Sequence, residues 1–160
     1  MIEEIIKEKT SSDHLLYVSL KYTKTCDVIL NLIARWKSLI ELSFDAVLED
    51  LVSENKLSHA PTNPKQRIEF MRKHFKKSDT IQKVIPLYIF FKRIPDLDKT
   101  REGEFRKNVN LKILEPIRTT EINMEKNYNG DFNIKSWKKN KPRTKIAKSF
   151  FISHSVSKLY

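Results

Sequence analysis

The chain has 160 residues, a formal net charge of +11 and a mean hydropathy of −0.52, with 39% hydrophobic and 32% charged residues. Two glycines argue against a turn-rich all-β fold and against a glycine loop cradling phosphate, and a single cysteine excludes an intramolecular disulfide or a cysteine zinc site. The charge is uneven: residues 1–116 hold 21 Lys/Arg against 17 Asp/Glu, and residues 117–160 hold 10 against 3.

At the N-terminus, apolar pairs at helical spacing over residues 1–9 fit a short lead helix. Ile2, Ile5 and Ile6 are interleaved with Glu3, Glu4 and Glu8, unlike a secretory signal. Thr10, Ser11, Ser12 and Asp13 are good N-cap residues and place the start of a long helix. From there an apolar stripe runs through Leu15, Val18, Tyr22, Cys26, Ile29, Ile33, Trp36, Ile40, Phe44, Val47 and Leu51. Its steps of three and four residues predict one helix over 13–54 that buries one face. At about 1.5 Å per residue this rod would be on the order of 60 Å long and would need partners. Leu30, Leu32, Leu39, Leu42, Leu48 and Val52 widen the stripe, which suits a bundle more than a two-stranded coil. Cys26 falls on the stripe as a small hydrophobe.

Pro61 and Pro64 end that run, and Asn63 caps a helix over 64–77 with Ile68, Met71 and Phe75 inward. Ser78 and Asp79 cap another over roughly 80–93, which Pro86 kinks or starts. Pro95–Asp98 reads as a turn, and the mixed-sign segment Arg101–Lys107 as a surface loop or helix end. The period then changes. Val109, Leu111 and Ile113 alternate with polar residues as in a strand, Glu115-Pro116 turns, and Ile117–Met124 returns. Asn129-Gly130-Asp131 offers an alternative hairpin over 119–137.

The expected fold is therefore mainly α: a helical bundle around one long N-terminal helix, with a small β-hairpin near residues 108–124 and a basic C-terminal tail. It divides into a bundle domain, 1–116, and a basic extension, 117–160. Between Lys135 and Lys148 there are seven basic residues and no acidic one. Lys138, Lys139, Lys141, Arg143, Lys145 and Lys148 suit phosphate contacts, and Trp137 suits base stacking. A solubilising tail would have the same composition. The polyanion such a tail favours is RNA or DNA before membrane. The longest apolar run, Ile85–Phe91, is too short to span a bilayer, and a cytoplasmic location is expected.

His14, His59 and His154 lack companions at metal-ligand spacing, so neither metal nor cofactor is expected. His74 lies seven residues after Arg67 on the 64–77 helix, on nearly the same face, among the cations Arg72 and Lys73. Arginine can hold a phosphate while histidine moves protons, as cleavage of a phosphodiester requires. A solvated basic helix produces the same spacing.

The segment His14–Tyr22, the long helix it opens, the shorter helices and the Arg-x6-His pair together resemble the HEPN superfamily of small prokaryotic helical domains, archaeal members especially. Ile68 follows Arg67 where that family commonly has a polar residue. The resemblance implies a homodimer and an RNA-directed activity, either metal-independent endoribonuclease or binding without cleavage. It makes Arg67 and His74 the catalytic pair at a dimer cleft. The other reading is a non-catalytic helical scaffold that recruits a partner protein.

Overall fold

The computed structural model describes residues 2–123, and residues 132–133 as a strand segment. The molecule is mainly helical with a small antiparallel sheet, as the change of period predicts. Helix α1 (Ile2–His14) runs through a π turn (Leu15–Ser19) into the single turn α2 (Leu20–Tyr22). Then come α3 (Cys26–Ser53), α4 (Pro64–His74) and α5 (Asp79–Arg93), a 3₁₀ turn (Ile94–Asp96), and strands β1 (Asp98–Glu102), β2 (Asn110–Leu114), β3 (Thr119–Asn123) and β4 (Phe132–Asn133).

The single rod over 13–54 is not formed. Lys24 turns to φ 49° and Thr25 is extended, so the helix breaks at residues 23–25 and restarts at Cys26. What stabilises the break is distant in sequence. Phe105 N–H donates to Lys24 O (2.9 Å), and Cys26 N–H donates to the Glu104 carboxylate (3.2 Å). Arg101 meets Asp27 at 2.8 Å. A helix N-terminus exposes unpaired N–H groups, and a carboxylate there satisfies one and complements the positive end of the dipole. Thr25 accepts from Val28 N–H as N-cap. The Thr10–Asp13 cluster, expected to start the helix, lies inside α1 and α1 continues past it. Thr10 and Ser12 hydroxyls donate back to the carbonyls of Ile6 and Glu8, and Asp13 pairs with Lys9. Ser12 is buried, and Arg35–Glu8 (2.8 Å) ties α1 to α3.

The stripe therefore divides. Val18 and Tyr22 are exposed, while Cys26, Ile29, Ile33, Trp36, Phe44 and Leu51 are buried on α3. At about 1.5 Å per residue, α3 is a spine about 42 Å long carrying two cores. Its first half packs Ile29, Leu32, Ile33 and Trp36 with Phe91, Ile94, Val109, Leu111, Ile113 and Ile122. Its second half packs Phe44 and Leu48 with Met71, Ile81, Ile85 and Tyr88. Trp36 stacks on Phe91 (6.2 Å) in the first, and Phe44 meets Tyr88 edge-on (6.0 Å) in the second.

The sheet order is β1-β2-β3-β4, antiparallel through β3, with β4 paired parallel to β3 over two residues. The hairpin near 108–124 is present: Leu114 faces Thr119, and Leu111 and Ile113 point into the core. Strand β1 takes up residues read as a turn and the start of a loop. Its side chains are almost all exposed, so they carry no alternating pattern, and its place comes from pairing with β2. Pro86 stands exposed inside α5, neither its start nor its end. The 129–131 turn and the basic run 135–148 lie outside the described residues.

Removing buried methylenes from the hairpin should cost far more than removing exposed ones. Ile113→Ala is expected to lower the unfolding free energy by about 2–5 kcal/mol. Ile117→Ala, at a fully exposed turn residue, should stay within about 0.5 kcal/mol. Urea titration of both variants measures the difference.

Candidate nucleic-acid interface

Helix α4 is fastened at both ends. At its start Asn63 is the N-cap, its side chain accepting from Lys65 N–H at 2.9 Å, with Pro64 at the first position. At its end the Gln82 side-chain amide of α5 donates to the carbonyls of Arg72 (3.1 Å) and Phe75 (3.2 Å). Ser78 N–H also donates to Phe75 O (2.9 Å), and the Ser78 hydroxyl accepts from Ile81 N–H as the cap of α5. The carbonyls left over at a helix C-terminus thus find partners on the next helix.

This pinned end carries an exposed cluster. Arg72, Lys73, His74, Lys76 and Lys77 all face solvent. The His74 ring stacks on Phe70 (5.1 Å) and meets Phe75 edge-on (5.0 Å). Lys73 pairs with Glu69 at 2.9 Å, an exposed pair one turn apart that holds the Glu69 carboxyl below the usual carboxylate range. Among the described residues Arg72, Lys76 and Lys77 form no salt bridge. Beside the helix, Leu57, Ser58, His59, Pro61, Gln66, Glu69, Phe70 and Lys73 line an open groove of about 430 Å³. Cations at a helix C-terminus also complement the dipole, but Lys76 and Lys77 lie beyond the last helical residue.

Arg67 has different surroundings from His74. Its Nη1 donates to Asp45 of α3 at 2.5 Å and its Nε to Pro61 O at 2.7 Å, so the guanidinium clamps the proline loop to the spine. Glu41 and Tyr88 lie beside this clamp. Glu41, one turn before Asp45, accepts from the Tyr88 hydroxyl (2.8 Å) and pairs with Lys37 (3.2 Å). In the sequence Glu41 and Asp45 show only as acidic residues one turn apart within the apolar α3 pattern. Burial first, then the Glu41 carboxylate, raises the Tyr88 phenol well above its ordinary value. Cys26 is buried, its Sγ 3.5 Å from Asn110 O, and burial pushes its thiol up with help from Glu104.

His14 ends α1 and is exposed; His59 is exposed with its Nδ1 3.2 Å from the Ser58 hydroxyl. No group of three or more metal-ligating side chains occurs among the described residues. No helix there is long and apolar enough to cross a membrane. Trp137, Lys138, Lys139, Lys141, Arg143, Lys145, Lys148 and His154 lie outside the described residues.

The Tyr88–Glu41 contact has a pH signature. Above pH 10 the unfolded chain ionises Tyr88 while the fold keeps the phenol neutral, so its contribution to stability falls as pH rises. Tyr88→Phe should cost about 1 kcal/mol at pH 7 and flatten part of the decline above pH 10, read by urea unfolding at each pH. Comparison of the chain with protein-family models, with curated proteins and with solved structures found no match.

Proposed function

We propose that this protein binds nucleic acid, RNA first, through the exposed cationic end of α4, and that it does so without cutting the strand. The observation that carries the reading is the run of exposed cations Arg72, Lys73, Lys76 and Lys77, which flank His74 in sequence at a helix end braced by Gln82. Phosphate neutralisation by closely spaced cations supplies most of a sequence-independent affinity. A rigid frame lets those cations meet a backbone with little further loss of conformational freedom. The basic run of residues 135–148 would add phosphate contacts from the same chain.

Binding is favoured over cleavage because Arg67 is committed to Asp45 and Pro61, whereas a cleavage mechanism needs that guanidinium on the phosphate. The resemblance to the HEPN superfamily is compatible with this reading, since many of its members bind without catalysis. The homodimer that the resemblance implies belongs to the same proposal; the catalytic pairing of Arg67 with His74 does not, because Arg67 is held by Asp45 and Pro61.

Labelled RNA incubated with the protein in EDTA should be bound and remain intact. Lys76→Ala with Lys77→Ala should weaken binding, and should lower the slope of log affinity against log salt by about 2. Cleavage by the wild type that disappears in both Arg67→Ala and His74→Ala would replace this reading with the endoribonuclease. No binding at any salt would leave the scaffold.

A further inference from the structure

The loop between β1 and β2 presents an aromatic ring to solvent from a backbone that favours no such residue. Phe105 is 76% exposed and sits at φ 61°, in the left-handed region that bulky side chains avoid. The loop is nonetheless held firmly. Gly103 turns at φ 62°, where a Cβ would stand 2.7 Å from Asn108 O, and Arg106 N–H donates back to Gly103 O. The Glu104 carboxylate accepts from Cys26 N–H, and Phe105 N–H donates to Lys24 O. These bonds use backbone groups and Glu104, and the phenyl ring itself stands mostly in water.

The same backbone bond brings the loop beside residues 21–24. Tyr22 is 74% exposed, with Lys21 Nζ 5.4 Å from its ring centre. Lys24, Arg106 and Lys107 form no salt bridge among the described residues. The two carboxylates of this corner are taken, Asp27 at 2.8 Å and Glu104 at 3.7 Å from Arg101. Two exposed rings thus stand among four cations without a free acid to neutralise them.

We infer that this corner is a stacking platform for single-stranded nucleic acid, with an unpaired base on Phe105, a neighbour on Tyr22, and phosphates on Lys24, Arg106 and Lys107. The inference rests on the nucleic-acid reading of α4 and adds the strand chemistry. A stacking ring needs a free base face, which a duplex does not offer. A strained, solvent-facing Phe is the kind of local cost that persists where a ligand uses it.

The test uses the full chain, a labelled single-stranded oligouridine, the matching duplex, and phosphatidylserine vesicles. Phe105→Leu keeps an apolar side chain but removes the ring, and should weaken single-strand binding about 5- to 100-fold at unchanged salt slope. Phe105→Tyr should keep affinity within about twofold, because the π face remains. Phe105→Gly should lose affinity without a lower thermal midpoint, since glycine accepts φ 61°. Equal binding by wild type and Phe105→Leu overturns the platform and leaves the α4 reading standing. A duplex bound as tightly as the single strand, or a sharp drop in midpoint for Phe105→Gly, also overturns it. No oligonucleotide binding by wild type removes both readings, and vesicle binding in its place assigns the corner to a lipid surface.

Discussion

Glu104 at the N-terminus of α3 is the contact on which the arrangement turns. Its carboxylate accepts from Cys26 N–H and sits beside Arg101, which reaches Asp27. One acidic side chain thereby caps a helix 78 residues earlier in the chain and joins the sheet to the helical body. It also allows the helix to end at Tyr22 and restart at Cys26, so that α1 returns along α3. A continuous rod would carry Leu20 and Ser12 away from the spine; the break lets both be buried. The cost is Lys24 in the left-handed region, typically about 1–3 kcal/mol, offset by bonds from the loop and by burial of α1's inner face.

From that junction α3 acts as a spine with a different core at each half. The sheet and the end of α5 cover the first, and α4 with the body of α5 covers the second. Because α5 contributes Phe91 to one core and Ile81, Ile85 and Tyr88 to the other, it locks the two halves together. The polar clamp of Asp45 and Arg67, with Glu41 and Tyr88 beside it, lies at the second core's margin, where partial exposure keeps the desolvation cost of its charges modest. Arg67 thus holds the proline loop in place and, with it, the start of α4.

The two cationic surfaces sit at opposite halves of this spine and share a logic. Each is an exposed basic group beside an aromatic ring, carried by backbone whose hydrogen bonds are made elsewhere in the fold. At α4 the bracing comes from Gln82; at the β1–β2 loop it comes from Lys24 and Cys26. Much of each was legible one residue at a time: the cations of α4, the Arg–His pair and the mixed-sign loop all show in the string of residues. Their engagement was not. Whether Arg67 is free or clamped depends on Asp45, 22 residues earlier, and no local pattern encodes that distance.

The sequence by itself determined the period of each element: the apolar face of α3, the capped starts of α4 and α5, and the alternation of Val109, Leu111 and Ile113. These follow from side-chain spacing on a regular backbone, which is a local property. Only the tertiary structure decided where the first helix stops, that residues 98–102 form a strand, and which charged groups are occupied. Such outcomes depend on partners distant in the chain. Hydrogen bonds from Phe105 and to Glu104, together with the local Thr25 cap, hold the break at residues 23–25. Only the part of the stripe from Cys26 onward forms the spine; its first three members belong to the helical segment before the break, because a loop about 80 residues away caps the helix that follows.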